Sequence, residues 1–435
     1  MADTGYQKIA FLLLAAAACF ISCKKDFGNL NSSVESDYLN NASKEQLNNL
    51  VSGTESGIRI KLVLYLDDVG TLGREIYRFS PSEPAYLTEL LGFGETTLSS
   101  SSFYIVNLWA TNYRIVKNCN LLEQASANSV SLSAGEKYGY TGFAKTIKAC
   151  QLLLTLNLTY SNGIRVDVEN ADKPGPVFGY EDALRAIDSL LRGGRDDLSK
   201  ATVIFPLSTG FDGFKNADGL IKFNAALAAR VAVYRKQWQD ALTDLGNSFF
   251  ELHGNFSTGI YSVFGTGTGD MLNPLFIPQN QNGEIRVAHP SYATGIETGD
   301  DRINKTSLRN AAASLNGLSS DRDVWVYTSS VAPVPVIRNE ELILIYAEAN
   351  IWQNNLADAL EALNIIRRGH HLADYTGLVD QPALITEMLQ QRRYSLYVEG
   401  HRWIDMRRYN LLGMLPVDRI NDDVWPAFPL PLTEQ

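Results

Sequence analysis

Cys23 is where this 435-residue chain points most directly to a reaction. It follows Ser22 at the end of an apolar run, Ile9 to Ile21, that is preceded by Lys8. Such a run is too short to span a bilayer and has the length of a signal-peptide core. A small residue directly before cysteine is the pattern of a bacterial lipobox. There the thiol is acylated, and cleavage before the cysteine frees an α-amine for a further acyl chain. Each buried methylene contributes about 0.8 kcal/mol, so several chains on one residue anchor a protein firmly. Residues 1–22 are therefore predicted to be a lipoprotein signal peptide, with a palmitate-type lipid on Cys23. The competing reading is an ordinary secretory signal, but Ser22 and the polar Lys24-Lys25-Asp26 tail favour the anchor.

Catalytic chemistry has little material here. The sequence holds no G-x-S-x-G elbow, no P-loop and no H-E-x-x-H zinc site. Gly265-Thr-Gly-Thr-Gly269 lacks the spacing of a dinucleotide loop and reads as a turn. His401 and Asp405 lie at i,i+4, but two ligands fall short of a metal site. Glycoside hydrolysis needs only two carboxylates, and 48 acidic residues offer many pairs without marking any one of them. The chain is expected to be no enzyme and to use no cofactor or metal.

Binding chemistry is better represented. A glycan offers C–H faces that stack on flat rings and a rim of hydroxyls that need partners. Two loop regions mix aromatic and polar residues suitably: Arg74, Tyr77, Phe79, Tyr86, Phe93 and Tyr104, then Asn280, Arg286, His289, Tyr292, Trp325 and Tyr327. Tyr77, Tyr86, Tyr292 and Trp325 are taken as the candidate ligand-binding residues, with a core role competing at each.

Residues 392–410 are the most informative stretch. Arg392, Arg393, Leu396, Glu399, Gly400, Arg402, Trp403, Asp405 and Arg408 together resemble the C-terminal signature of the SusD/RagB family. Ser395 stands where that family usually has glutamate, and Tyr397 where phenylalanine is commoner. Arg338–Ala349 resembles the helix upstream of the signature, and Phe428–Glu434 its closing Pro-x-Pro segment. Trp109–Leu122 and Phe223–Trp238 also fit, while residues 250–335 match least. The charged signature residues are read as a structural staple of mutually satisfied ions, with Gly400 in a left-handed cap and Trp403 buried. Asp300-Asp301-Arg302 is read as a local ion pair that orders a loop.

The elements that must position these residues are helical by period. Phe143, Ile147, Cys150, Leu154 and Leu158 form one apolar stripe, and Tyr180, Ala183, Leu184, Ile187 and Leu191 another. Helices pair across short breaks at 222–236 with 238–250 and at 339–353 with 356–369. The fold class is mainly α, a tetratricopeptide-like helix-hairpin scaffold as the resemblance also implies, with long irregular ligand-binding loops at 65–104, 161–180, 203–219 and 252–335. The division predicted is 1–22 signal, 23–250 N-terminal region and 251–435 C-terminal region. Net charge is −10 and unpatterned, which argues against nucleic acid and against polybasic membrane binding. Cys119 and Cys150 are expected as two buried thiols more than as a disulfide.

The resemblance implies a cell-surface lipoprotein of the outer membrane. It would capture a nutrient, most often an oligosaccharide, for a TonB-dependent, SusC-like transporter. Relatives that take peptides or glycopeptides keep the ligand class open, and a helical-repeat scaffold without small ligands is the rival from another class.

Overall fold

Reciprocal caps start the helices where the sequence changes character. Ser43 accepts from the Gln46 N–H while Gln46 answers on the Ser43 N–H, and Ser133 with Glu136 repeats the arrangement. The computed structural model describes residues 38–170 and 172–435, so the expected signal peptide and Cys23 lie outside the described residues. Helices α1 (Lys44–Ile58) and α2 (Leu62–Leu72) lead into strand β1 (Ile76–Phe79). Helices α3 (Phe103–Asn128) and α4 (Ala134–Thr159) form a long hairpin, followed by the short ribbon of β2 (Ile164–Arg165) and β3 (Val177–Phe178). Next come α5 (Tyr180–Leu198), α6 (Ala217–Tyr234) and α7 (Trp238–Gly246). The loop-rich middle holds β4 (Gly259–Ser262), β5 (Ile285–Ala288), α8 (Ser291–Gly295), β6 (Thr306–Leu315), β7 (Leu318–Val324) and β8 (Val334–Arg338). Helices α9 (Asn339–Trp352), α10 (Leu356–Gly369), α11 (Gln381–Ser395) and α12 (Arg402–Arg408) close the chain.

The expected hairpins are present and share one turn chemistry. Lys236 between α6 and α7 has φ 57°, and Asn354 between α9 and α10 has φ 61°. In both turns the next amide reaches back five residues, Gln237 to the Ala232 carbonyl and Asn355 to the Asn350 carbonyl, each at 2.8 Å. Successive hairpins stack on a core running from Ala42 to Phe428, with a second cluster beneath α9, α10 and α11. Cys119 and Cys150 are buried and unpaired.

The long middle segment is more ordered than the irregular loops expected from sequence. Strands β1, β5, β7 and β6 form one antiparallel sheet in that order. Tyr77 faces Val287 and Arg78 faces Arg286, so the two aromatic-rich regions picked out from sequence are neighbours in space. These strands carry little alternation of apolar and polar residues, and β6 contains Asn310-Ala311-Ala312-Ala313-Ser314, which is poor strand sequence.

The signature is a buried charge cluster, differently wired from the mutual pairing expected. Asp405 takes Arg392 at 2.6 and 3.2 Å and Arg408 at 3.2 Å. Glu399 turns away to Arg338, at 2.8 and 3.0 Å. Among the described residues Arg402 has no carboxylate partner, and it donates to the Gly73 carbonyl at 3.1 Å; burial lowers its guanidinium to about 10. Trp403 is fully buried and its N–H donates to the Trp425 carbonyl at 2.8 Å. Helix α11 ends at Ser395, earlier than the sequence suggests, and Gly400 sits at φ 84° in the connection to α12. A Cβ there would lie 2.9 Å from the Tyr65 ring, so glycine is demanded twice over.

Both departures from the family pattern have partners. The Ser395 hydroxyl accepts from Arg302 at 2.9 Å, and the Tyr397 hydroxyl donates to the Glu75 carbonyl at 3.3 Å. Arg302 itself pairs with Asp300, both almost fully buried, as the local ion pair expected there. His401 is buried and its Asp405 neighbour is occupied by arginine. His370, at the C-terminal end of α10, bridges Asp301 at 2.8 Å and Glu340 at 2.7 Å.

Removing one partner from a buried ion pair strands the other charge. Asp405→Asn is therefore expected to cost about 3–5 kcal/mol in urea denaturation. Asp374→Asn, in an exposed pair with Arg368, should leave the urea midpoint nearly unchanged, because solvent screens that pair. Equal losses in the two variants would mean that Arg392 and Arg408 find other acceptors.

Candidate functional site

A cleft of about 450 Å³ opens where α2, the start of α3 and the β1–β5 edge of the sheet meet. Lys61, Asp67, Arg78, Tyr86, Phe103, Asn107, Pro274, Ile277, Glu284 and Arg286 are among its lining residues. They come from segments more than two hundred residues apart, joined by the β1–β5 pairing.

Paired charges form the floor. Arg286 grips Asp67 with two nitrogens, Nη2 to Oδ2 at 2.7 Å, and its third donor, Nη1, holds the Pro274 carbonyl at 2.9 Å. Burial works against the Arg286 charge, and the Asp67 carboxylate outweighs it and raises the guanidinium. Arg78 reaches Glu284 at 2.9 Å and also bonds the Phe79 and Ile285 carbonyls at 2.9 and 3.1 Å. Burial pushes Glu284 up, but hydrogen bonds from Ser80 and Ser82 and the Arg78 charge prevail and hold it at about 2. Rigid, mutually satisfied ions of this kind fix geometry more than they attract a ligand.

The rim supplies what the floor has already used. The Arg78 guanidinium lies 5.6 Å from the Tyr86 ring centroid, and Phe103 meets that ring edge-on at 5.2 Å. The Tyr86 hydroxyl, the Lys61 ammonium and the Asn107 amide have no side-chain hydrogen bond to the described residues. Aromatic edge, hydroxyl, amide and ammonium around one opening can hold a hydroxyl-rich ring. A second cavity, of about 340 Å³, is floored by Ile147, Cys150, Phe211, Phe223 and Val336. Its mouth ions are already paired, Arg59 with Asp270 at 2.6 Å, which makes it the poorer candidate for a polar ligand.

The four aromatics chosen from sequence separate into two groups. Tyr86 lines the cleft, although it is only 8% exposed. Trp325 is half-buried and lies 6.1 Å from Phe276, one residue before the cleft residue Ile277. Tyr77 and Tyr292 are core side chains that offer no face to a ligand here. Alternation in β1 turns Tyr77 inward, where it packs on Phe79 and His289. Tyr292 is wedged between Tyr394 and Tyr397, and its hydroxyl donates to the Arg302 carbonyl at 2.8 Å. Lys61, Asp67, Phe103, Asn107 and Glu284 were not singled out from sequence, because only the long-range strand pairing reveals them.

Two further carboxyls are buried: Asp68, with no hydrogen-bond partner in the described residues, and Glu75, for which the Val398 backbone offers a weak one. Burial raises both; the charge of Asp67 adds to the effect on Asp68, while Arg402 partly offsets it on Glu75, which reaches about 8. The folded state thus keeps a proton on Glu75 that the unfolded chain releases near 4.5. This contribution to stability is full below about pH 4.5 and is lost as pH rises towards about 8, at up to about 1.4 kcal/mol per pH unit. His401 acts in the opposite sense, since burial lowers its imidazole to about 4 and its contribution is lost as pH falls from 6.5. Between about pH 6.5 and 8 the melting temperature should therefore fall with pH, and Glu75→Gln should make the decline shallower. Parallel slopes for the two proteins would show that Glu75 is ionised in the fold.

Comparison with known proteins bears on the same regions. The sequence profile of the SusD family matches residues 294–425, which takes in part of the stretch that resembled the family least to the eye. A SusD-like protein, P38, from Formosa agariphila is 24% identical over 226 residues, covering 41% of this chain and 42% of that relative's own length. A SusD superfamily protein from Bacteroides vulgatus superposes with a TM-score of 0.69 at 14% identity, over 90% of this chain and 96% of the other. The surface glycan-binding protein A from Bacteroides uniformis does so with a TM-score of 0.65 at 14% identity, over 85% and 88% of the two chains.

Proposed function

We propose, from its membership of the SusD family, that this chain binds an oligosaccharide at the cell surface and passes it to a TonB-dependent, SusC-like transporter of the outer membrane. The observation that carries the reading is the cleft beside the sheet: a rigid ionic floor below, and an aromatic edge with free polar groups at the rim. A pyranose placed there stacks its C–H face near Tyr86 and Phe103 and turns hydroxyls towards Asn107, Lys61 and Glu284. Trp325 extends the aromatic surface beyond Phe276. The name of the Bacteroides uniformis protein, which shares the fold, supports a glycan as the ligand class. Binding is favoured over catalysis because both carboxylates at the cleft are locked to arginines, Asp67 to Arg286 and Glu284 to Arg78. A lipid on Cys23 would hold the protein at the membrane where the transporter sits.

Calorimetry against a panel of neutral and acidic oligosaccharides tests the cleft. Tyr86→Ala is expected to weaken the best ligand about threefold to tenfold, the loss of one aromatic contact worth roughly 0.5–1.5 kcal/mol. Lys61→Ala should weaken it as well, and the two effects should be close to additive if both groups only touch ligand. A panel in which nothing binds the wild-type protein would remove this function. Separately, Cys23→Ser should move the protein from the membrane fraction to the soluble one, and continued membrane fractionation would count against the anchor.

A further inference from the structure

Of the six tryptophans, Trp352 alone is exposed, at 39%. It ends α9 at the tip of a hairpin and lies flat against Trp238, which begins α7 at the tip of the neighbouring one. The ring centroids are 5.3 Å apart and the planes differ by 5°. One face of the Trp352 ring is therefore covered by Trp238. Its N–H edge donates to the Tyr409 hydroxyl at 3.2 Å, and Tyr409 donates in turn to the buried Glu348 at 2.8 Å. Arg408 of the C-terminal signature also bonds Glu348. The indole is held at a fixed angle by the charge cluster at the centre of the fold.

Neutral amides surround this ring. Gln353, Asn354 and Asn355 follow Trp352, Gln237 and Gln239 flank Trp238, and all five are exposed. Asn355 is engaged with Asn350, while the other four side chains have no hydrogen bond to the described residues. Nearby charges are paired with one another, Arg235 with Asp188 at 2.6 Å and Arg192 with Asp240 at 3.5 Å; Lys236 is the exception. A packing staple between two hairpins would be served by apolar neighbours and a buried ring. A fixed, open aromatic face bordered by uncharged donors and acceptors suits a neutral ring with an apolar face and a polar rim. Charged or strongly apolar partner surfaces would leave those amides unpaired.

We infer that Trp352, with Gln353 and Asn354, forms a second carbohydrate-binding platform, which takes a neutral pyranose of the same polymer whose end or segment enters the cleft. The inference rests on the glycan-binding reading of the cleft. Trp352 shares no lining residue with that cleft, so the two contacts act on different stretches of a long chain. Two weak sites on one rigid body raise retention of a polymer far more than of a short oligosaccharide that fills only one.

Native affinity electrophoresis in gels containing starch, laminarin, xyloglucan, galactomannan or arabinoxylan provides the probe, with calorimetry on short oligosaccharides cut from whichever polymer retards the wild type. Trp352→Ala should weaken polymer retention about tenfold or more and leave short-oligosaccharide affinity within about twofold. Gln353→Ala, which leaves the ring stack intact, should weaken polymer retention in the same direction by a smaller factor, and guards against a folding defect in the tryptophan variant. Tyr86→Ala should weaken both ligands, and the quenching of tryptophan fluorescence by residual polymer binding to that variant should be smaller when Trp352 is also replaced. Unchanged polymer retention by both platform variants overturns the inference and leaves the cleft standing. No retardation of the wild type by any polymer, with no oligosaccharide bound, overturns the cleft reading and this one together. Loss of association with a protein partner without loss of polymer retention assigns the platform to protein docking and also overturns it.

Discussion

The structure depends on burying a set of ionised arginines and carboxylates between the last helices and the first. Asp405, 4% exposed, accepts from two guanidiniums, and Glu399 with Arg338 and Glu341 with Arg230 are buried one-to-one pairs. Taking such charges out of water costs several kcal/mol per ion, recovered only if geometry is good and spare donors and acceptors are filled. Here the spare donors go largely to backbone. Arg407 bonds the Pro426 and Asn157 carbonyls at 2.9 Å each, and Arg402 bonds the Gly73 carbonyl. The guanidiniums thus join α12 to α2, to α4 and to the closing segment, elements that the chain order keeps far apart. Gross stability is a poor explanation for this design, since apolar packing would serve as well. Unique docking of remote segments is the better one, because a misregistered α12 would leave charges unpaired.

This arrangement explains how the signature could be legible while its wiring was not. The residue types announce buried ions, since Arg392, Arg402, Asp405 and Arg408 around a tryptophan have few other uses. Which partner each one takes depends on where α2, β8 and α9 arrive in space. Spacing across the helix boundary lets Glu399 and Arg402 pair, yet the fold places Arg338 beside Glu399 and a bare carbonyl beside Arg402. The helical hairpins were legible for the opposite reason. Their apolar stripes and left-handed turns at Lys236 and Asn354 are local, and local preference agrees with the tertiary result.

The sheet was hidden because its information is not local. Strand β1 pairs with β5 across more than two hundred residues, and β6 has a run of small residues that no strand propensity recommends. The same fact limits what could be read of the candidate site. Aromatic-rich loops pointed to two segments that do meet in space. Which ring faces out is then set by the alternation of a strand that had not been recognised. Tyr77 and Arg78 are adjacent, and one lies in the core while the other lines the cleft.

Function in this fold follows from a division of labour between rigidity and reach. The hairpins hold their shape by repeating a local rule, which leaves the connections free to vary in length and composition. A cleft built from such connections needs something to stiffen it, and the Asp67–Arg286 pair does so from below by tying α2 to the sheet. That pair is almost fully buried and has little to offer a ligand directly. Its effect is to keep Tyr86, Asn107 and Lys61 at fixed separations, so that a ligand bound as proposed would meet a prepared surface at a reduced ordering cost. Substitutions at the rim can then alter which ligand is taken without disturbing the scaffold, whereas substitutions in the floor would move every rim residue at once.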